Sequence, residues 1–143
     1  MNSREQIDRA ALQQIPEQLV EAAEQVVKDL RIDARSAEEM GKSQASKAIQ
    51  VAQAADSLRV FINWVRYQAG RERSADFWSR ETGSDQKLVE RLAGEFREFE
   101  QKLAGRIADE SRRGPTLMAA VVLFLGYFRR ALVGYQYLTK VTV

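Results

Sequence analysis

Apolar residues recur at intervals of three and four along almost the whole chain, and this spacing restricts the fold more than any other feature. In the segment that starts at Pro16, the recurring residues are Leu19, Ala23, Val26, Val27 and Leu30. Residues at these intervals lie on one face of an α-helix, so the segment is expected to be amphipathic. No alternating pattern of similar strength predicts a β-strand, and no repeat has a fixed period. The sequence therefore predicts an all-α protein with a single domain over residues 1–143.

Four such segments predict a compact bundle of four main helices. The segment between Asp8 and Gln14 could form an extra short helix before them. The first main helix begins at Pro16, because proline suits the first turn of a helix. Ser36 and Glu39 have the spacing of a capping box, which predicts a helix start at Ser36.

The second main helix is predicted from Ser43 to about Ala69. Its basic residues Arg59 and Arg66 are seven positions apart, and Arg73 follows at the same interval. Side chains two turns apart lie on the same side of a helix, so these arginines are expected to share one polar edge if the helix persists. Gly70 is a natural place for this helix to end.

The third helix is predicted from a cap at Ser84-Asp85 to about Ser111, and the fourth from Gly114-Pro115. The apolar stripe predicted to be buried on the third helix consists of Leu88, Leu92, Phe96, Phe99, Leu103 and Ile107. The charged outer face of the third helix, around Arg91 and Glu95, is expected to be solvated and without function. Residues 114–128 carry no charge, but a run of 15 residues is shorter than the roughly 18 to 20 that span a bilayer. A central bundle helix is therefore preferred to a membrane span.

The residue types present exclude most enzyme chemistry. The chain has no Cys and no His, so thiol nucleophiles, imidazole bases and zinc fingers cannot be built. Gly41-Lys42-Ser43 resembles the end of a phosphate-binding loop, but Ser36 stands where that motif needs a glycine. We therefore expect no enzyme activity, no catalytic residue, no metal and no cofactor. The absence of Cys and of an apolar segment near the first residue favours a cytoplasmic location.

Charge is distributed unevenly along the chain, although its formal net charge is only +2. Residues 1–40 carry a net −4, 41–80 a net +4, 81–113 a net −1 and 114–143 a net +3. Basic surfaces of this kind indicate a polyanionic partner, and the open alternative is a solvated helix face. We expect the two basic blocks to face one polyanionic partner, with the acidic segments facing elsewhere.

Basic and aromatic side chains are interleaved in three segments: 64–73, 77–80 and 127–130. Guanidinium groups can contact backbone phosphates without reading bases. Aromatic rings could stack on bases, but helical spacing favours a core position for Phe61, Trp64 and Phe124.

Two of these segments, Tyr67–Phe77 and Tyr127–Tyr135, resemble the small helical subunit of type III-A CRISPR effector complexes, the Csm small subunit. The likeness is strongest over residues 58–80 and 124–138. Residues 1–40 and 85–111 depart from the family pattern, which leaves the register of the first and third helices open.

The resemblance implies a non-catalytic subunit of an antiviral ribonucleoprotein. Such subunits stack in several copies beside the backbone and large subunits, and they bind the CRISPR RNA/target RNA duplex through its backbone without sequence preference. The resemblance also implies that RNA cleavage belongs to the backbone subunits. No membrane is expected to take part.

Nine basic residues are the candidate RNA-binding residues. The resemblance implies Arg71, Arg73, Arg129 and Arg130. Helical geometry adds Arg59 and Arg66. The basic surface that these arginines form is expected to continue through Arg80. Lys42 and Lys47 are further candidates. For Arg71 and Glu72 the alternative is a structural ion pair at a helix end.

Other interpretations of the chain stay open. One is the small subunit of another CRISPR effector type. Another is a protein-binding helical adaptor, in which the apolar C-terminal helix docks on a partner and the arginines meet an acidic protein surface. A membrane-associated helix is the third.

Overall fold

The chain is built from α-helices in the computed structural model, which describes residues 6–71, 76–83 and 85–143. The helices in these ranges are α1 (Arg9–Leu12), α2 (Pro16–Leu30), α3 (Ala34–Ser36), α4 (Lys42–Ala54), α5 (Leu58–Arg71), α6 (Leu88–Ala104) and α7 (Glu110–Val133). A π-helical segment, Ala37–Gly41, joins α3 to α4, and a 3-10 turn, Tyr135–Tyr137, follows α7. The predicted all-α bundle is confirmed.

The N-terminal helices form as predicted. Asp8 caps α1 by accepting a hydrogen bond of 3.0 Å from the backbone N–H of Ala11. Pro16 occupies the first position of α2, where its missing N–H leaves no helical hydrogen bond unmade. The side chains of the predicted apolar face of α2 are all buried: Leu19, Ala23, Val26, Val27 and Leu30.

The second predicted helix is two helices. Ala55 adopts an extended conformation, with φ −80° and ψ 135°, and this ends α4. The Ser57 hydroxyl then accepts a hydrogen bond of 3.3 Å from the backbone N–H of Val60, in the first turn of α5. Ser57 competes for backbone donors and so favours a helix start, although the apolar periodicity continues across the break.

The predicted capping box at Ser36 is wrong, because the cap lies three residues earlier. The Asp33 carboxylate accepts a hydrogen bond of 2.8 Å from the backbone N–H of Ser36. Ser36 itself is helical, and Glu39 pairs instead with Arg35. The chain then continues through the π-helical segment into α4 without a break at Gly41.

The boundary between the last two long helices also differs from the prediction. Asp85 lies outside α6, whose N-cap is Lys87, and Ser84 lies outside the described residues. Helix α6 ends before Gly105, and Asp109 caps α7 by accepting a hydrogen bond of 3.0 Å from the backbone N–H of Ser111. Gly114 and Pro115 are therefore inside α7 rather than in a turn. Proline removes one helical hydrogen bond there, but the cap upstream fixes the start of the helix.

Helix α7 lies at the centre of the bundle and packs against α2, α4 and α6. Its length is 24 residues, so by length and composition alone it could cross a membrane. The 15-residue argument from the sequence is thus wrong, because the helix starts before the uncharged run and continues past Arg129 and Arg130. More than half of its apolar stretch is buried inside the bundle, as expected for a core helix.

The apolar stripe predicted for the third helix lies in the core, and its side chains are Leu88, Leu92, Phe96, Phe99, Leu103 and Ile107. Phe61 and Phe124 are also fully buried, as predicted. Trp64 is only partly buried: it stacks on Phe61 with ring centroids 6.2 Å apart and lies at the surface of the α4–α5 pair.

The charged face of α6 is not uniformly solvated. The Arg91 Nη1 atom lies 2.8 Å from an Asp29 carboxylate oxygen on α2, and the Arg91 Nε atom lies 3.0 Å from Glu95. Only 19% of the Arg91 side chain is exposed. Burial of the guanidinium opposes its charge, but the hydrogen bonds to both carboxylates outweigh this and raise the Arg91 pKa. This ion-pair network connects α2 to α6.

Candidate anion-binding groove

A polar groove with a volume of about 680 Å³ lies between the N-terminal part of α4, the segment before it, and α7. Successive turns of α4 place Lys42, Ser46 and Gln50 on the same side of that helix, at intervals of four. Arg129 reaches the groove from α7. The complete lining is Arg35, Glu38, Glu39, Lys42, Ser43, Ser46, Lys47, Gln50 and Arg129.

A serine hydroxyl fixes the position of Arg129. The Ser46 Oγ atom donates a hydrogen bond of 3.0 Å to the Lys42 carbonyl oxygen. The Nε atom of Arg129 donates one of 2.8 Å to the same hydroxyl oxygen. Since the single hydroxyl proton is used toward Lys42, Ser46 presents a lone pair to Arg129. The guanidinium is therefore held at the groove, and its terminal N–H groups make no hydrogen bond within the described residues, so a ligand there could accept from them.

The groove has an excess of positive charge. Four of its lining side chains are basic and two are acidic. Arg35 and Glu39 form an ion pair of 3.1 Å with each other. Within the part of the chain that the structure describes, Lys42, Lys47 and Arg129 have no carboxylate partner. An anion that enters the groove can thus interact with three unpaired cations.

Two basic blocks that are distant in sequence meet in this groove. Lys42 and Lys47 belong to the block over residues 41–80, and Arg129 belongs to the block over residues 114–143. They come together because α4 packs against α7. Gly41 allows a close approach, since a Cβ atom at this position would lie 2.9 Å from the Leu132 Cδ1 atom.

The arginines of α5 lie outside the groove. Arg59, Arg66 and Arg71 are exposed, and the first two share the predicted polar edge within one helix. The Arg71 guanidinium lies over the Tyr67 ring, 5.7 Å from its centroid. Arg73, which was predicted to continue this edge, lies outside the described residues.

Arg130 and Arg80, the remaining candidate RNA-binding residues, also lie outside the groove between α4 and α7. Arg130 is exposed, and its guanidinium lies 5.8 Å from the centroid of the Tyr127 ring rather than in the groove. The pKa of Asp33 is lowered, chiefly by its hydrogen bond from the Ser36 backbone, and the charge of Arg80 adds to this effect. Arg80 does not line the groove between α4 and α7.

Ser46 and Gln50 were not among the residues predicted for the site. The signal that could have found them is their spacing, because Lys42, Ser46 and Gln50 follow one another at intervals of four on a predicted helix. Such a row of polar side chains is common on solvated helix faces. Only the hydrogen bond to Arg129 distinguishes Ser46 from them.

A second groove, of about 520 Å³, lies between α4 and α5 and is mainly apolar. Gln50 lines both grooves, so the two adjoin along α4. No group of three or more acidic side chains that could hold a metal ion occurs in the described ranges.

Comparisons with protein-family models, curated proteins and solved structures gave no match to this chain. The likeness to the Csm small subunit therefore depends on the residues of the two segments quoted above.

Proposed function

We propose that this protein is a non-catalytic RNA-binding subunit that holds the phosphate backbone of RNA in the groove between α4 and α7. The observation that supports this most is the convergence of Lys42, Lys47 and Arg129, which come from two sequence-distant basic blocks and lack carboxylate partners among the described residues. Lysine and arginine side chains contact phosphates regardless of base identity, so binding would be salt-dependent and would show little sequence preference.

We also propose that the RNA is the guide/target RNA of a type III-A CRISPR effector complex in the cytoplasm. The support is the resemblance of Tyr67–Phe77 and Tyr127–Tyr135 to the Csm small subunit. In this proposal several copies of the chain stack beside the backbone and large subunits, and the exposed arginines of α5 extend the RNA-binding surface beyond the groove.

A direct binding experiment tests the RNA proposal. The variant Lys42→Glu/Lys47→Glu should bind RNA at least about tenfold more weakly than the native chain, since two favourable charges become repulsive. The matched control is Arg97→Glu/Lys102→Glu, which makes the same charge change on the exposed face of α6. Equal losses in both variants would contradict a role for the groove.

The assignment to a CRISPR complex needs a separate test. The chain should purify with CRISPR RNA and with the backbone and large subunits when these are produced together. Replacing Arg71 and Arg73 with Glu should weaken retention of target RNA in that assembly without unfolding the subunit. Unchanged retention at both low and high salt would contradict this part of the proposal.

A protein-binding adaptor is the second candidate, and the apolar groove between α4 and α5 favours it. Tyr67 and Val60 line this groove with 63% and 55% of their surface exposed. Crosslinking separates the candidates, because an adaptor should give no RNA crosslinks at α5 or in the α4–α7 groove.

A further inference from the structure

The apolar groove adjoins the basic groove at one residue, Gln50. Its volume of about 520 Å³ lies within the range of about 300–1,000 Å³ that is usual for small-molecule sites. Two amide side chains, Gln50 and Asn63, stand among lining residues that are otherwise apolar or aromatic: Val51, Ala54, Ala55, Val60, Trp64 and Tyr67.

The Trp64 side chain of this groove is supported from the core side by two buried aromatic rings. Trp64 stacks on Phe61 and meets Trp78 edge-on, with ring centroids 5.8 Å apart. Phe61 and Trp78 are fully buried, so they form a fixed support for the partly exposed Trp64 ring. Stacking of a flat ligand on Trp64 would therefore need little ordering of that side chain. Tyr67 is 63% exposed, and the Arg71 guanidinium lies over its ring.

We propose that the apolar groove takes an unpaired base of the same RNA strand whose phosphates lie in the basic groove, and this inference rests on the proposed RNA-binding function. A nucleotide joins an anionic phosphate to a flat ring with hydrogen-bonding edges. The two adjoining grooves offer cations to the first, and aromatic rings with two amides to the second.

Charge complementarity favours this occupant over an apolar segment of another protein. An apolar segment would fill the α4–α5 groove but would leave the excess of positive charge in the groove beside it unbalanced, since four basic side chains there face two acidic ones. Bases inside an RNA duplex are stacked on both faces and cannot enter such a groove. The free subunit should therefore bind single-stranded RNA more tightly than a duplex of the same sequence, and in the proposed complex the groove would take a base that the guide/target duplex leaves unpaired.

The test compares three labelled RNAs with equal numbers of phosphates: a single strand, an abasic single strand and a duplex. Tyr67→Ala should weaken single-strand binding roughly 5- to 150-fold, which is the usual effect of removing one base-stacking aromatic. It should leave binding of the abasic strand and the duplex unchanged. Tyr67→Phe should bind all three RNAs like the native chain, because it keeps the ring.

Tyr137→Ala is the matched control, since Tyr137 is similarly exposed at 55% and lies in the 3-10 turn after α7. If Tyr67→Ala weakens none of the RNAs, or weakens the abasic strand as much as the base-bearing one, the base-binding inference is overturned. If Lys42→Ala/Lys47→Ala leaves binding of all three RNAs unchanged, the proposed function fails instead. The two failures are therefore distinguishable.

Discussion

The Nε atom of Arg129 on α7 donates a hydrogen bond of 2.8 Å to the hydroxyl of Ser46 on α4. This bond joins the C-terminal basic block to the central one, and it orients the guanidinium at the edge of the groove. Ser46 is thus a positioning residue in the proposed site. Its effect on RNA affinity should be separable from its effect on folding.

Ser46→Ala should weaken RNA binding roughly 2- to 10-fold, which corresponds to the loss of one ordinary hydrogen bond. The free energy of unfolding should change by less than about 1 kcal/mol, because Ser46 is only partly buried. Ser43→Ala is the matched control, since Ser43 lines the same groove and, among the described residues, Arg129 makes its hydrogen bond to Ser46 rather than to Ser43. Fluorescence anisotropy measures the affinities, and equal affinities for the two variants would contradict the positioning role.

Arg91→Ala should lower the free energy of unfolding by about 1–3 kcal/mol, because it leaves the Asp29 and Glu95 carboxylates partly buried without their cation. Arg97→Ala, which removes an exposed arginine from the same helix, should change the free energy by less than about 0.5 kcal/mol. Urea titration measures both. Similar values for the two variants would show that the network between α2 and α6 does not stabilise the fold.

Two glycine-to-alanine substitutions should change the free energy of unfolding in opposite directions. Gly94 is exposed on α6, and a Cβ atom added there meets no atom within 4 Å, so Gly94→Ala should stabilise the fold by about 0.5–1 kcal/mol through helix propensity. Gly41→Ala would place its Cβ atom 2.9 Å from the fully buried Leu132 side chain. Overpacking there should offset the propensity gain and destabilise the fold by about 1 kcal/mol. Thermal unfolding measures both effects, and stabilisation by both substitutions would contradict the close packing of the π-helical segment on α7.

The capping aspartates should make stability depend on acid pH. Hydrogen bonds from Ser111 lower the pKa of Asp109, and those from Ser36 lower the pKa of Asp33. A carboxylate whose pKa is lower in the folded state stabilises the fold above its unfolded pKa of about 3.9, and this stabilisation is lost as the pH falls through the folded value.

The variant Asp33→Asn/Asp109→Asn keeps side-chain oxygens for both caps but does not titrate. Its stability should therefore fall less than that of the native chain when the pH is lowered from 7 to about 3. Unfolding free energies at several pH values measure this. Parallel curves for the two proteins would contradict the role of the two carboxylates.

The sequence predicted helix faces well and helix boundaries poorly, for physical reasons. The face from Leu88 to Ile107 could be predicted because burial follows the helical period. The helix starts after Asp33 and Asp109 were missed because short polar residues at Ser36 and a proline at position 115 gave competing local signals. The free energies of these alternative helix starts are similar, so tertiary packing determines which one forms.

The sequence predicted individual basic residues of the candidate site, but it did not predict which of them share one groove. Lys42 and Arg129 are far apart in sequence, and only the packing of α4 on α7 brings them into one groove. Arg91 shows the same limit, because its partner Asp29 lies on another helix. Local sequence spacing carries no information about either pairing.

The salt dependence of RNA affinity tests the central claim most directly. The variant Lys42→Ala/Lys47→Ala/Arg129→Ala should have a plot of log affinity against log salt that is shallower by about 2, since each lost phosphate contact on a single strand removes about 0.7 from the slope. The control Arg97→Ala/Lys102→Ala/Arg106→Ala removes the same charge from exposed positions in α6 and just after it, and should keep the native slope. If the two triple variants have the same slope, the groove between α4 and α7 does not hold the RNA backbone.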